Sequence, residues 1–205
     1  MKITRYFQSC LLVEDGGARI LIDPSAQEKD RIGDFGKLDA VFYTHEHGDH
    51  FDAGMAQDFV EQGIAPVYAN ASTAKLIKAS KTEVKDGQEY DIKGMKVKAI
   101  ELPHCLMIDG STSVQNTGYL INQKLFHPGD GKELDGLKVE TLAVPINGPD
   151  ISLKDAYAFT MQVAAKQVIP IHYDYLGGNP DFLGGYLNKK GVKVHGLTIG
   201  DSVEL

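Results

Sequence analysis

The order of apolar segments predicts a layered α/β or α+β domain, not an all-β barrel or a helix bundle. Three observations carry this: the chain opens with a strand, hairpin and strand; short apolar runs then alternate with stretches of helical spacing; and the composition suits a packed core. Hydrophobic residues make up 42% and charged residues 24%, which excludes disordered and fibrous classes. A length of 205 residues favours one domain, residues 1–205, over two cramped ones, and no linker, repeat or low-complexity tract divides it.

Residues 3–7 and 9–13 are short and rich in β-branched and apolar side chains. Asp15-Gly16-Gly17 then turns the chain into a third strand at residues 18–22. Asp23-Pro24 stops that strand. The polar stretch 25–37 shows no periodicity and is expected as a surface loop, a candidate lid. Residues 38–43 form an apolar run too short for a helix, so a buried strand is expected to lead directly into Thr44-His45-Glu46-His47-Gly48-Asp49-His50. Asp52 is a suitable N-cap for a helix with Met55, Phe59 and Val60 at helical spacing, ended by Gly63.

A strand at 66–68 and a helix at 72–79 follow. Further strands are expected at 96–102, 117–121, 124–127 and 140–144, then an amphipathic helix at 152–165 and an apolar strand at 168–171 that runs into His172. The chain finishes with a helix at 181–187 and strands at 192–194 and 202–205. Gly177-Gly178 and Gly184-Gly185 read as turns or a flexible rim, and neither forms a phosphate-binding fingerprint.

Acidic residues outnumber basic ones, 28 to 21, for a formal charge of -7, which disfavours nucleic acid and anionic membranes as partners and leaves a small-molecule substrate. No window approaches the ~20 apolar residues of a membrane span. Cys10 and Cys105 form no C-x-x-C pair and suggest a reducing compartment. The first residues meet charge and glycine too soon for a signal-peptide core, so a cytoplasmic protein is expected. The sequence sets no oligomeric state.

The informative segment is His45-Glu46-His47-Gly48-Asp49-His50. Residues two apart in extended chain face the same way, so His45 and His47 can converge on one ion. Gly48 is expected to relax the backbone there, and a bend would aim Asp49 and His50 at a second, neighbouring position. Imidazole and carboxylate are ligands that Zn²⁺ and similar divalent cations accept. The bland alternative is a hydrophilic loop in which histidine recurs; three His and one Asp at fixed positions, with 7 histidines in the whole chain, weigh against it. Four side chains cannot complete two coordination shells. Pro103-His104-Cys105, Gly129-Asp130-Gly131 and Pro170-Ile171-His172 offer more, each just after an expected strand.

The spacing His-x-His-x-Asp-His, followed by a lone His, a Gly-Asp and a final His after an apolar strand, resembles the metallo-β-lactamase superfamily over essentially the whole chain. Leu21-Ile22-Asp23-Pro24, Phe126-His127-Pro128-Gly129-Asp130 and Ile169-Pro170-Ile171-His172-Tyr173 match as well. The chain looks most like the short single-domain metal-dependent hydrolases and their relatives, the sugar-phosphate lactonases. The resemblance implies a four-layer αββα sandwich with metals at one edge between the sheets. It implies that His45, His47 and His104 hold one metal, that Asp49, His50 and His172 hold a second, and that Asp130 bridges them. Asp49 and Asp130 are then the carboxylates of the catalytic centre. The expected cofactors are two divalent ions, zinc first, with manganese or iron as alternatives. A bridging hydroxide would cleave a small ester, lactone or phosphodiester, with no need of a Ser or Cys nucleophile.

Two departures stand out: Gly131 occupies the place where many relatives carry Thr, and Gln8-Ser9-Cys10 stands where they often have His-Ser-Cys. The alternative from another class is an iron-dependent oxidoreductase of the sulfur-dioxygenase type. A third reading is a binding protein with purely structural metals, against which stands the open His/Asp donor set, since structural zinc sites are usually closed and cysteine-rich. Polynucleotide processing is disfavoured by length and charge, and β-lactam hydrolysis by the missing export signal.

Around the ligands, Asp23 is either a partner that orients a ligand histidine or a strand-ending turn. His127 is expected to pack or hydrogen-bond, His195 to be plain surface or core, Cys10 and Cys105 to be small buried hydrophobes, and Tyr173 to pack or to contact substrate. Substrate choice is expected to lie in loops 25–37, 109–114 and 173–181.

Overall fold

Short apolar runs pair with their neighbours in the computed structural model, which describes residues 1–205. Strands β1 (Lys2–Arg5), β2 (Leu11–Asp15) and β3 (Ala18–Ile22) form an antiparallel meander. Strands β4 (Ala40–Tyr43), β5 (Val67–Ala69) and β6 (Thr82–Glu83) extend it in parallel. The second part repeats this plan: β7 (Glu89–Ile92), β8 (Met95–Glu101), β9 (Thr117–Ile121) and β10 (Leu125–His127) are antiparallel. Then β11 (Thr141–Pro145), β12 (Gln167–Ile171) and β13 (Lys193–Val194) run parallel. The last strand, β14 (Ser202–Glu204), crosses back to pair with β1, which gives two sheets of seven strands each.

Side-chain alternation assigns each face. Ile3, Val13, Ile20, Ile22 and Phe42 of the first sheet meet Val97, Tyr119, Ile121, Ala143 and Ile169 of the second in a buried cluster between the sheets. The intervening residues point outward. Leu12, Leu21, Val41 and Tyr43 pack under helix α1 (Ala53–Glu61) through Met55 and Phe59. Leu120, Phe126, Leu142 and Val168 pack under α3 (Leu153–Gln162) and α4 (Pro180–Leu187) through Phe159, Leu183 and Leu187. The short α2 (Ala71–Ala74) follows β5. The result is the four-layer αββα sandwich, and β4, apolar on both faces, is read correctly as a buried strand.

Asp52 caps α1 by accepting the Met55 N–H at 2.7 Å, as expected. Elsewhere the structure differs from the sequence reading. Residues 26–35 are not a loop but a 3₁₀ segment, Ala26–Phe35. Glu28 accepts Ser25 N–H at 2.9 Å and Phe7 N–H at 3.1 Å, and Phe35 packs edge-on against Tyr6, so distant partners order a stretch without 3.6-residue periodicity. The helix expected at 72–79 stops after Ala74, where Leu76 and Ile77 donate to carbonyls three residues back and the chain turns. Strands β6 and β7 were not anticipated; both are short edge strands whose exposed polar side chains break apolar alternation. Gly184-Gly185 lies inside α4, not in a turn. No helix is long and apolar enough to cross a membrane.

This topology brings the C-terminal ends of β4, β8, β10 and β12 to one edge of the sandwich. The segments carrying His45, His104, Asp130 and His172 all leave from that edge.

Candidate metal centre

The loop after β4 is shaped by Asp23. Its carboxylate accepts Thr44 N–H and Thr44 Oγ–H, each at 2.7 Å, and the Nδ1–H of His50 at 2.8 Å. Because the Thr44 hydroxyl spends its proton on Asp23, it accepts from His45 Nδ1 at 3.0 Å. Asp23 is therefore a partner that orients ligand-loop histidines, and the strand-ending turn is a by-product. The bend after His47 comes from His50 N–H and Phe51 N–H, which both donate to the His47 carbonyl, at 2.9 and 2.8 Å. Gly48 takes no left-handed conformation and a Cβ there would meet nothing within 4 Å, so the expected backbone relaxation at Gly48 is corrected: the turn hydrogen bonds make the bend.

The remaining histidines are fixed the same way. His104 donates Nδ1–H to the Cys105 carbonyl at 2.6 Å, and His172 donates Nδ1–H to the Asn147 carbonyl at 2.5 Å. In the neutral rings, acceptors on Nδ1 of His45, His50, His104 and His172 place the lone pair on Nε2, the form that binds a metal. His47 meets Ser113 Oγ through Nε2 at 3.2 Å, which leaves Nδ1 free.

The free donor atoms form two groups. One atom each of His45, His47, His104 and Asp130 lie within 4.8 Å of one another, and so do those of Asp49, His50 and His172. Asp130 joins the groups: Oδ1 is 3.1 Å from His50 Nε2, and Oδ2 is 3.4 Å from His172 Nε2 and 3.5 Å from His104 Nε2. His172 Nε2 lies 3.2 Å from Asp49 Oδ2. All seven residues singled out from the sequence are thus brought to one place.

A divalent ion fits this set. His50 Nε2, His172 Nε2 and Asp130 Oδ1 are buried and lack an aligned hydrogen bond, although they sit within ion-pair distance of opposite partners. Burying such groups unsatisfied costs roughly 1–3 kcal/mol each. A cation shared among them satisfies all at once.

The electrostatics divide the histidines: His45 and His47 are held neutral, whereas the carboxylates raise His50 and His172, so a cation there would displace a proton. Burial, then the facing His50, hold His45 well below the ordinary imidazole range, and burial with His104 lowers His47. Burial opposes ionisation of Asp130 and Asp49, yet nearby imidazoles hold both carboxyls below the usual range: His172 and His50 for Asp130, His172 first for Asp49. Burial alone would lower His50, but Asp130 and Asp23 raise it well above its ordinary value.

Strain gathers here too. Gln8, Asp23 and His172 are non-glycine residues with φ of 56°, 51° and 62°, and all three border the centre. Such conformations persist where surrounding contacts impose them, often at functional sites. Gly129, at φ 59°, is obligatory: a Cβ would stand 2.2 Å from Asn116 Oδ1 and 2.8 Å from Thr44 Cβ. At Gly131 a Cβ would meet Leu102 Cδ1 at 2.3 Å. Leu102 therefore fills the room that a threonine needs. Gly131→Thr is expected to cost about 1–3 kcal/mol by overpacking, with partial recovery in Gly131→Thr/Leu102→Ala, read by chemical denaturation.

The sequence reading assigned no role to Thr44, Ser113, Asn116 or Asn147. Asn116 donates to the Pro128 carbonyl at 2.9 Å, which supports the Gly129-Asp130 turn. His127 hydrogen-bonds as expected, donating Nε2–H to the Ser9 carbonyl at 2.8 Å and accepting Gly129 N–H at 3.2 Å. His195 pairs with Gln167 away from the centre. Tyr173 donates to the Leu197 carbonyl and lies under the Arg5 guanidinium, 4.1 Å away, so it packs. Cys10 and Cys105 are buried, and burial raises both thiols, that of Cys105 to about 12.

Above the centre opens a cavity of about 460 Å³. His47, Asp49, His104, Asp130 and His172 form its floor; Met107, Pro149, Tyr175 and Leu176 stand around it, and no Lys or Arg lines it. Of the three loops expected to bear on substrate, 173–181 lines it through Tyr175 and Leu176, whereas no residue of 25–37 or 109–114 does; Met107 stands just before the latter. The 3₁₀ segment meets the rim only indirectly, through Gln27, which contacts the Tyr175 hydroxyl.

Asp23→Asn is expected to lower metal affinity by ~10–100-fold while the fold is kept, because an amide N–H facing His50 Nδ1 would move the proton to Nε2. Chelator competition measures it.

Residues 2–172 match the model of the β-lactamase superfamily domain. A UPF0173 protein of Pyrococcus furiosus is 34% identical over 209 aligned residues, covering 95% of this chain and 94% of the relative. A UPF0173 metal-dependent hydrolase of Korarchaeum cryptofilum is 25% identical over 225 aligned residues, with 100% of each covered. Among solved structures, Igni18, a metallo hydrolase of Ignicoccus hospitalis, gives a TM-score of 0.80 at 20% identity over 98% of this chain and 97% of its own; that likeness is one of fold.

Proposed function

Since the chain belongs to the metallo-β-lactamase superfamily, we propose that it is a metal-dependent hydrolase with two divalent ions, acting on a small ester, lactone or phosphodiester. The observation that carries this is the set of five imidazoles, each with one nitrogen engaged by the protein and the other free toward Asp130. A relative of full-length coverage bears the name metal-dependent hydrolase, and the donor set is open, without cysteine.

His45, His47 and His104 would hold one ion, Asp49, His50 and His172 the other, and Asp130 both. Zinc suits these donors, and manganese or iron are accepted by the same set. When bound, such a pair lowers the pKa of a shared water toward ~7 and polarises the substrate's oxygen. Burial keeps Asp130, its side chain 4% exposed, away from bulk water. Asp49, at 27%, is the carboxylate open to the cavity. In this reading its oxygen not engaged by His172 would take a proton from the attacking water and pass it to the leaving oxygen.

No Lys or Arg lines the cavity, so the two ions would be the cations that face a substrate, and they would serve the carbonyl oxygen of an ester or lactone and the phosphoryl oxygen of a phosphodiester alike. A cavity of this size suits a small molecule and not a polymer.

The test is elemental analysis, chelation, and add-back of zinc, manganese or iron, with esters, lactones and phosphodiesters assayed in parallel. Metal-restored cleavage of a small ester, lactone or phosphodiester supports the proposal and names the class. No metal-dependent hydrolysis, or tight iron with substrate-dependent oxygen uptake, overturns it and gives the oxidoreductase reading.

A further inference from the structure

Gln8 follows β1, is only 1% exposed, and keeps the left-handed conformation that side chains disfavour. All its polar groups are used. Nε2–H donates to Asp49 Oδ2 at 3.2 Å; Oε1 accepts Asp174 N–H at 2.9 Å and Tyr175 N–H at 3.4 Å. Its backbone N–H donates to Asp174 Oδ2 at 2.5 Å, and its carbonyl accepts His172 N–H at 2.9 Å. Gln8 thus bonds two of the three residues of the second donor group, Asp49 through its side chain and His172 through its backbone N–H, and hydrogen-bonds to none of the first. The far side is anchored, because Asp174 also pairs with the buried Arg5, whose guanidinium lies over the Tyr173 ring.

Resting on the two-ion reading above, we infer that Gln8 is a positioning residue for the second ion. Its amide occupies Asp49 Oδ2, the oxygen beside His172 Nε2, and thereby fixes the rotation of that carboxylate; its backbone carbonyl fixes the strained peptide of His172. The same amide oxygen sets the backbone of Asp174 and Tyr175, and Tyr175 lines the cavity. Metal centre and rim therefore share one clasp. Glutamine here supplies an N–H donor without adding another imidazole to the centre.

The discriminating property is asymmetry between the two ions. Zinc is titrated into metal-stripped wild type, Gln8→Met and Gln8→His against a competing chelator, with far-UV circular dichroism recorded for each. Gln8→Met keeps side-chain length and loses the donor; it is expected to weaken the second equivalent by about 10-fold or more and the first by less than about 2-fold, while Gln8→His, which restores an N–H, recovers most of the loss. A merely structural role would lower both equivalents together. Unchanged binding of the second equivalent, or equal weakening of both, overturns the inference. If Gln8→Met does not fold, Gln8→Ala, too short to reach Asp49, is read in its place by the same criteria. A wild type that binds no zinc overturns the two-ion reading instead, and with it the basis for a clasp.

Discussion

Asp130→Asn is expected to reduce metal-dependent hydrolysis by about 10³-fold or more, because a paired metal centre contributes several kcal/mol to the barrier and each 1.36 kcal/mol is tenfold. Asp130 is the sole carboxylate within reach of both donor groups, 3.1 Å from His50 and 3.5 Å from His104. An amide in its place offers one neutral oxygen and an NH₂ aimed at imidazole nitrogens that carry lone pairs. Metal stoichiometry should fall below two per chain. The far-UV circular dichroism spectrum should stay that of wild type, since the three apolar clusters of the sandwich do not include this residue. Full activity in this variant would remove Asp130 from the centre.

Gly129→Ala tests the same turn through the backbone. A left-handed alanine costs about 1–2 kcal/mol. The added methyl would also stand 2.2 Å from Asn116 Oδ1 and 2.9 Å from Thr44 Oγ1, and such overpacking costs a further ~1–3 kcal/mol. The expected loss is therefore ~2–5 kcal/mol, which at ~2–4 °C per kcal/mol for a chain of this size lowers Tm by about 4–20 °C. Thr44 holds Asp23 and His45, so the push also reaches the metal loop. Calorimetry together with zinc titration measures both effects; a Tm within 2 °C of wild type, by the same conversion about 1 kcal/mol at most, would contradict the close packing.

Much of the candidate centre was legible because its donors obey local rules. His45, Asp130 and His172 each stand just past an apolar strand, and His-x-His-x-Asp-His is dense enough to be noticed without any neighbour. The layered fold was legible for a related reason: short apolar, β-branched runs mark β1 to β4 as strands, and helical spacing in α1 and α3 records which face is buried. What escaped depends on partners far along the chain. The 3₁₀ segment is held by Phe7 and Tyr6, Gln8 answers to Asp49 and Asp174, and His127 reaches back to Ser9. No window of ten or fifteen residues contains both ends of these contacts. Edge strands β6 and β7 escaped because an edge needs polar side chains, the opposite of the signal by which strands are found. Gly48 shows the converse error, in which a suggestive glycine has no conformational task.

The proposed function requires a pair of cations around Asp130. Anomalous diffraction at the zinc edge, from crystals grown with excess zinc, locates them directly. Two peaks per chain are expected, one among His45, His47 and His104 and one among Asp49, His50 and His172, with Asp130 touching both. An absence of zinc at these residues, or a single peak that leaves Asp49, His50 and His172 unligated, would contradict it.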